Sequence, residues 1–206
     1  VVADVYSVYQ KRLQSANAMD FDDLILNTVK VIQRFPEAKA RMRSRFKHIL
    51  VDEYQDTNHA QYILVRELTG SLEDGTPPAE LCVVGDADQS IYGFRGATIR
   101  NILQFELDYP NATTVLLEQN YRSSQNILNA ANAVITKNSS RKEKNLWSDS
   151  GPGAPLIGYV AESEHDEAEF VKDEIRSLQR NGTSEPGDTA IFYRTNAQSR
   201  VFEEVF

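Results

Sequence analysis

Two adjacent carboxylates end an apolar segment in the stretch His48-Ile49-Leu50-Val51-Asp52-Glu53-Tyr54-Gln55-Asp56-Thr57-Asn58. The run Ile49–Val51 is short and mostly β-branched, which predicts a buried strand of the kind found in parallel sheets. Ligands of open α/β sheets bind beyond the carboxyl ends of the strands, where Asp52 and Glu53 would stand. One carboxylate there can hold a hard cation while the other orients or deprotonates a water molecule. This arrangement suits hydrolysis of a phosphoanhydride.

The pair alone is better explained as two solvated acids in a strand-to-helix turn, because short motifs often match by chance. A second apolar run that ends in polar residues favours the functional interpretation instead. The apolar run Leu81–Val84 is followed by polar residues up to Gln89, and Gly85 between them allows close approach of the backbone to a ligand. The amide of Gln89 could reach a terminal phosphate, although it could also simply cap the next turn.

The bulk composition is that of an ordinary globular protein of one large domain or two small ones. The chain has 206 residues, of which 41% are hydrophobic and 25% charged, and a net charge of −8. This charge argues against a protein that coats polyanions, but it neither supports nor excludes a nucleic-acid site. No apolar run approaches the ~20 residues of a membrane span, and no secretory leader is visible, so we expect a cytoplasmic protein. The single cysteine, Cys82, is predicted to lie in the core.

Helix and strand patterns alternate along most of the chain, which predicts an α/β fold of parallel sheets covered by helices. Strands are predicted over 49–51, 81–84, 113–117, 156–161 and 190–193. Helices are predicted over 1–14, from Asp20, from Pro36, and over 60–68, 98–107, 125–137 and 166–179, with a last helix reaching Phe206. A surface loop is predicted over 71–78, and the turn cluster 108–111 is the candidate domain boundary.

Two further sites combine aromatic rings with a cation. Tyr92, Phe94 and Arg95 lie in a glycine-rich loop that cannot bury them all, and exposed rings beside a cation suit stacking on single-stranded bases. Phe94 could instead fill the core beneath the loop. Tyr121 and Arg122 offer a ring for a base and a guanidinium for a phosphate, or else a surface tyrosine and a helix-start arginine.

Other common sites find no support in the sequence. The three histidines show no metal-ligand spacing with Cys82, and the phosphate-binding pattern G-x-x-x-x-G-K-[ST] does not occur in these 206 residues.

Three motifs, taken together and in this order, resemble those of a known family. Residues 51–58 (VDEYQDTN), 84–97 (VGDADQSIYGFRGA) and 119–123 (QNYRS) are similar to motifs II, III and IV of UvrD/PcrA/Rep-type superfamily-one DNA helicases. Residues 21–24 (FDDL) and 193–200 (YRTNAQSR) match further segments of the family. Phe94 departs from the pattern, in which tryptophan is usual.

The resemblance implies an ATP-driven translocase that moves 3′ to 5′ on single-stranded DNA, unwinds duplexes at single-strand/double-strand junctions, and acts in DNA repair or replication. Asp52 would hold Mg²⁺, Glu53 would activate the attacking water, and Gln89 would sense the terminal phosphate of ATP. Tyr121 would stack on adenine, and Arg122 would act as an arginine finger. Tyr92, Phe94, Arg95 and Asn196 would contact DNA.

The resemblance also implies parts of two adjacent RecA-like domains. Residues 1–18 would be the end of the helical domain 1B, 19–111 the second part of domain 1A, and 112–206 the first part of domain 2A. The family's Walker A motif is expected upstream of Val1, and its motifs V and VI beyond Phe206. The 206-residue chain by itself is therefore expected to lack ATPase activity.

Two other functions remain open. The chain could be a non-catalytic interaction module that kept the fold without the chemistry, which the intact set of Asp52, Glu53, Gln89 and Arg122 argues against. It could also belong to a RecB/AddA-like helicase-nuclease, which a nuclease domain far downstream would distinguish.

Overall fold

The computed structural model describes residues 1–71, 74, 77–138, 141 and 143–206. The loop predicted over 71–78 lies partly outside these described residues. The chain divides into two compact units, Val1–Arg122 with Leu128–Ser148, and Ser123–Ile127 with Asp149–Phe206. The predicted domain bounds at 18/19 and 111/112 are not the bounds of these units and stay predictions.

The helices lie close to where the sequence predicts them. Their bounds are α1 Val2–Ser15, α2 Phe21–Arg34, α3 Pro36–Arg45, α4 His59–Thr69, α5 Arg100–Leu103, α6 Phe105–Asp108, α7 Gln125–Ile135, α8 Glu164–Arg180 and α9 Ser199–Val205. Asp20 begins α2 with a capping box to Asp23, and Pro36 occupies the first turn of α3. The single helix predicted over 98–107 is wrong in detail, because Gln104 interrupts it between α5 and α6.

The described part of the chain contains one sheet of two parallel strands, β1 (His48–Val51) and β2 (Glu80–Val83). Ile49 pairs with Leu81, and Val51 pairs with Val83. The pairing continues past the strand ends, where Val84 N–H donates to Val51 and Tyr54 N–H donates to Val84. The two strand ends therefore open at the same edge.

The strands predicted over 113–117, 156–161 and 190–193 are not formed among the described residues. These segments run without ladder partners, and most of their apolar side chains are exposed, with Val160 at 95% and Phe192 at 94%. A strand requires a neighbour for its N–H and C=O groups, which an apolar pattern by itself does not supply. The observed architecture is a mixed helix/strand fold with a small parallel sheet.

The prediction that Cys82 lies in the core is also wrong, because its side chain is exposed. Cys82 pairs in register with Leu50, which is itself 77% exposed. Successive side chains of a strand point to opposite faces. One face of the two-stranded sheet is therefore uncovered here.

The core of the first unit lies between α2, α4 and the turn that follows β1. Val29 and Ile32 of α2 are buried, and α2 packs on α4. Tyr54, only 1% exposed, meets the ring of Phe105 edge to face at 5.7 Å. This packing fixes the segment that carries the two carboxylates.

In the second unit, α8 packs against α9. Ser163 caps α8, and Ala168 on that helix is fully buried. The ring of Tyr159 stacks on Phe170 at 4.0 Å, and its hydroxyl donates to Asp166. No helix in the described part of the chain is both long and apolar enough to cross a membrane.

Candidate nucleotide and nucleic-acid site

The two carboxylates after β1 sit on a tightly constrained turn. Glu53 has φ +50° and ψ +43°, the left-handed conformation that costs a non-glycine residue about 1–2 kcal/mol. Its N–H donates to Asp52 Oδ1 at 2.8 Å, and both side chains are exposed. Strain of this kind is held in place only when the surroundings over-determine the backbone. Here the buried ring of Tyr54 and the bond from Tyr54 N–H to Val84 supply that constraint.

Gln55 joins the two strand ends through its side chain. This amide, 1% exposed, donates from Nε2 to Glu53 Oε2 at 2.7 Å. Its Oε1 accepts the backbone N–H of Asp86 at 3.0 Å. A buried amide that satisfies one group on each side ties the carboxylate of Glu53 to the turn after β2.

The turn after β2 carries Gln89 on a short 3₁₀ segment, Ala87–Gln89. Asp86 caps this segment by accepting the N–H of Asp88, and its Oδ2 accepts from Gln89 Nε2 at 2.7 Å. The structure thus brings Glu53 and Gln89 into one hydrogen-bonded chain that runs through Gln55 and Asp86. Gln55 was not among the residues predicted for the site. The available signal was its place in the same short motif, two residues after Glu53.

Charged partners of this turn come from a distant part of the first unit. Lys144 forms an ion pair with Asp86, and Arg141 pairs with Asp88 at 3.1 Å. Burial raises the pKa of the Asp86 carboxyl, but hydrogen bonds from Lys144, Gln89 and the backbone of Asp88 outweigh it and leave that pKa below its ordinary value. Asp86 is therefore held ionised.

The aromatic loop forms a compact, outward-facing cluster. The guanidinium of Arg95 lies 4.9 Å from the ring of Tyr92 and 5.4 Å from that of Phe94. Phe94 is 81% exposed, so the alternative that it fills the core is wrong. An exposed ring backed by a cation offers a stacking surface.

Tyr121 and Arg122 lie on a turn held by its own neighbours. The Tyr121 hydroxyl donates to Gln119 Oε1 at 2.8 Å, and Arg122 N–H donates to Asn120 Oδ1 at 3.0 Å. The ring of Tyr121 is 83% exposed. Asn196, the remaining residue predicted to contact DNA, belongs to the second unit, where it begins a 3₁₀ turn.

Family models match both halves of the chain. Residues 1–110 match the UvrD/REP helicase N-terminal domain, and residues 115–206 match the UvrD-like helicase C-terminal domain. The chain belongs to the UvrD/REP helicase family. Membership confirms the resemblance read from its motifs.

Two relatives within the UvrD/REP family resemble this chain over nearly its whole length. It is 63% identical over 205 residues to the ATP-dependent DNA helicase UvrD1 of Mycobacterium tuberculosis. It is 55% identical over 206 residues to the ATP-dependent DNA helicase PcrA of Staphylococcus aureus. These matches cover 99% and 100% of this chain, which spans 27% of the length of each relative.

Proposed function

We propose that this chain is the motif-bearing segment of an ATP-driven DNA helicase that moves 3′ to 5′ along single-stranded DNA. Its substrates would be single-stranded DNA and junctions between single-stranded and double-stranded DNA. It would act in DNA repair or replication, and it would be located in the cytoplasm. Within that protein, 19–111 and 112–206 would be parts of RecA-like domains 1A and 2A, and 1–18 the end of 1B. Support comes from family membership and from the names of the relatives.

The observation that carries the proposal is the hydrogen-bonded chain from Glu53 through Gln55 and Asp86 to Gln89. It places a carboxylate and an amide at the same edge of the parallel strand pair. Glu53 would take a proton from the water that attacks the terminal phosphorus of ATP, as the bond to the bridging oxygen breaks and ADP leaves. Gln89 would hydrogen-bond the terminal phosphate and sense its loss.

Asp52 fits a magnesium ligand, being an exposed carboxylate directly after a strand. Within the described ranges, no three histidine, cysteine or acidic side chains cluster to hold a metal by themselves. Mg²⁺ is commonly held by one or two carboxylates together with substrate phosphates and water, so one exposed carboxylate suffices. The ion would neutralise charge on the phosphates when bound.

The exposed rings and cations have separate roles in this proposal. Tyr121 would stack on the adenine, and Arg122 would approach the terminal phosphate as an arginine finger. Tyr92, Phe94 and Arg95 would contact the single strand, and Asn196 would be a separate DNA contact on the second unit. The cluster of two rings under one guanidinium supports the assignment to DNA.

The test is a Glu53→Gln change in the full-length protein that contains this chain. We expect nucleotide binding to remain and DNA-stimulated hydrolysis to fall by about 10²- to 10⁴-fold, because the water loses its base. Glu37→Gln, an exposed acid of α3, is the matched control and should leave turnover unchanged. Unchanged turnover in Glu53→Gln would favour a non-catalytic module.

The isolated 206-residue chain supplies a second test. It lacks the pattern G-x-x-x-x-G-K-[ST], so we expect it to show no DNA-stimulated ATP hydrolysis above background. Robust turnover by the purified chain would contradict the proposed assignment of its parts.

A further inference from the structure

Four charged side chains from two distant segments meet beside Gln89. Arg141 Nη2 lies 3.1 Å from Asp88 Oδ2, and Lys144 Nζ lies 3.6 Å from the same oxygen. Lys144 also pairs with Asp86. The side chains are only 9–24% exposed, so these pairs are shielded from water far more than ordinary surface pairs. Two acids facing two bases balance the charge of the cluster.

Lys144 occupies the central position of this cluster. It contacts both carboxylates, whereas Arg141 pairs with Asp88 and donates a second bond to the backbone carbonyl of Lys144 at 3.0 Å. Arg141 therefore supports the backbone that presents Lys144. The ammonium of Lys144 is the group that neutralises Asp86.

The carboxylate of Asp86, held by Lys144, in turn holds the side chain of Gln89. One carboxylate oxygen of Asp86 accepts from Lys144, and the other accepts from Gln89 Nε2. Its own backbone N–H is bound by Gln55, which also holds Glu53. The orientation of Gln89 is thus fixed by a carboxylate that Lys144 anchors from the opposite side.

The two halves of the cluster come from different family domains. Asp86 lies among the residues matched by the N-terminal domain, and Lys144 among those matched by the C-terminal domain, although both belong to the first compact unit. We propose that Lys144 is a positioning residue that anchors Asp86 and thereby sets Gln89 for phosphate sensing. The ion pair between Lys144 and Asp86 then becomes a condition for hydrolysis. This inference rests on the role proposed above for Gln89.

Removing the ammonium leaves Asp86 and Asp88 next to each other, partly buried and less well compensated. Such uncompensated charge disturbs its surroundings more than the loss of an exposed pair does. The turn that carries Gln89 should loosen, and the loss should appear in the chemical step rather than in nucleotide affinity. Loss of a partner that orients a metal-ligating side chain typically costs about 10- to 100-fold in activity, and we expect a loss of similar size for Gln89.

The experiment compares Lys144→Met with Lys144→Arg in the full-length protein, by steady-state ATP hydrolysis at saturating oligothymidylate. Methionine keeps the apolar stem and removes the charge, whereas arginine keeps the charge. We expect kcat of Lys144→Met to fall about 10- to 100-fold, while its KM for ATP changes by less than about threefold. We expect kcat of Lys144→Arg to lie within about threefold of that of the unchanged protein. Lys137→Met, an exposed lysine of the same unit, is the matched control.

A kcat in Lys144→Met within about fivefold of the unchanged protein would overturn the inference, as would a loss confined to KM or one that arginine does not restore. If Lys144→Met lowers the melting temperature by more than about 5 °C, Lys144→Gln is judged by the same limits instead. Glu53→Gln separates the two levels of proposal. If it hydrolyses ATP normally, the proposed function fails, and if it is inactive while Lys144→Met is normal, only the role of Lys144 fails.

Discussion

The carboxylate of Glu53 accepts a 2.7 Å hydrogen bond from the almost fully buried amide of Gln55. The same amide accepts the backbone N–H of Asp86, so one side chain serves both strand ends. Glu53 itself is exposed, which leaves the carboxylate accessible to a substrate while its orientation is set from below. This combination suits a group that must act on water with fixed geometry.

Replacing Gln55 by alanine should therefore affect both stability and catalysis. The N–H of Asp86 loses its partner, which costs about 1–3 kcal/mol, and hydrolysis falls about 10- to 100-fold because Glu53 loses its support. Thermal melting and steady-state ATPase assays of the full-length protein measure the two effects. Gln14→Ala, at an exposed position of α1, is the matched control. Normal turnover in Gln55→Ala would contradict the positioning role of this amide.

Gly85 is required by the position of Gln55. A Cβ added at residue 85 would lie 2.6 Å from Gln55 Oε1, 2.9 Å from Ile102 Cδ1 and 3.1 Å from the backbone nitrogen of Tyr54. Gly85→Ala should destabilise the protein by about 1–3 kcal/mol and displace the Gln55 amide, which lowers turnover as well. Gly93→Ala is the control, because an added Cβ there meets nothing within 4 Å. Equal melting temperatures for the two variants would rule out this steric account.

Much of the arrangement around β1 could be predicted from the sequence because its signals are local. The apolar run ending in Asp52 and Glu53, the capping residues Asp20 and Asn58, and Gly70 at the end of α4 each act on neighbouring residues. Capping and turn preferences are properties of a few consecutive residues, so they survive any change in the rest of the fold. The parallel pairing of β1 with β2 followed from the same alternation of elements.

The features that were missed depend on residues far apart in the chain. Lys144 reaches Asp86 across 58 residues, and no pattern around either residue indicates the other. The unformed strand over 156–161 fails for a related reason, because hydrogen-bond partners are a tertiary property while apolar alternation is a local one. Val160 in this segment is apolar but exposed, because no neighbouring strand among the described residues pairs with it.

The left-handed backbone at Glu53 leads to a prediction that separates stability from activity. Glu53→Ala and Glu53→Gly both lose the hydrogen bond from Gln55, but only glycine adopts φ +50° without steric cost. Both variants should be inactive, and the glycine variant should be more stable than the alanine variant by about 1 kcal/mol. Scanning fluorimetry of the two proteins side by side tests the order. A glycine variant that melts below the alanine variant would show that this conformation stores no strain.

The exposed ring of Phe94 leads to a prediction about the binding of single-stranded DNA. Its ring is 81% exposed and lies 6.0 Å from that of Tyr92, with the guanidinium of Arg95 close to both. Phe94→Ala should weaken binding of single-stranded DNA by about 1–3 kcal/mol, the worth of one stacked base, whereas Phe94→Trp should bind at least as tightly because its ring is larger. Fluorescence anisotropy with labelled oligothymidylate, at one fixed salt concentration, measures both variants of the full-length protein. Phe35→Ala, an exposed ring between α2 and α3, is the control. If Phe94→Ala binds as tightly as this control, the aromatic loop does not stack on the strand, and the contact must be assigned elsewhere.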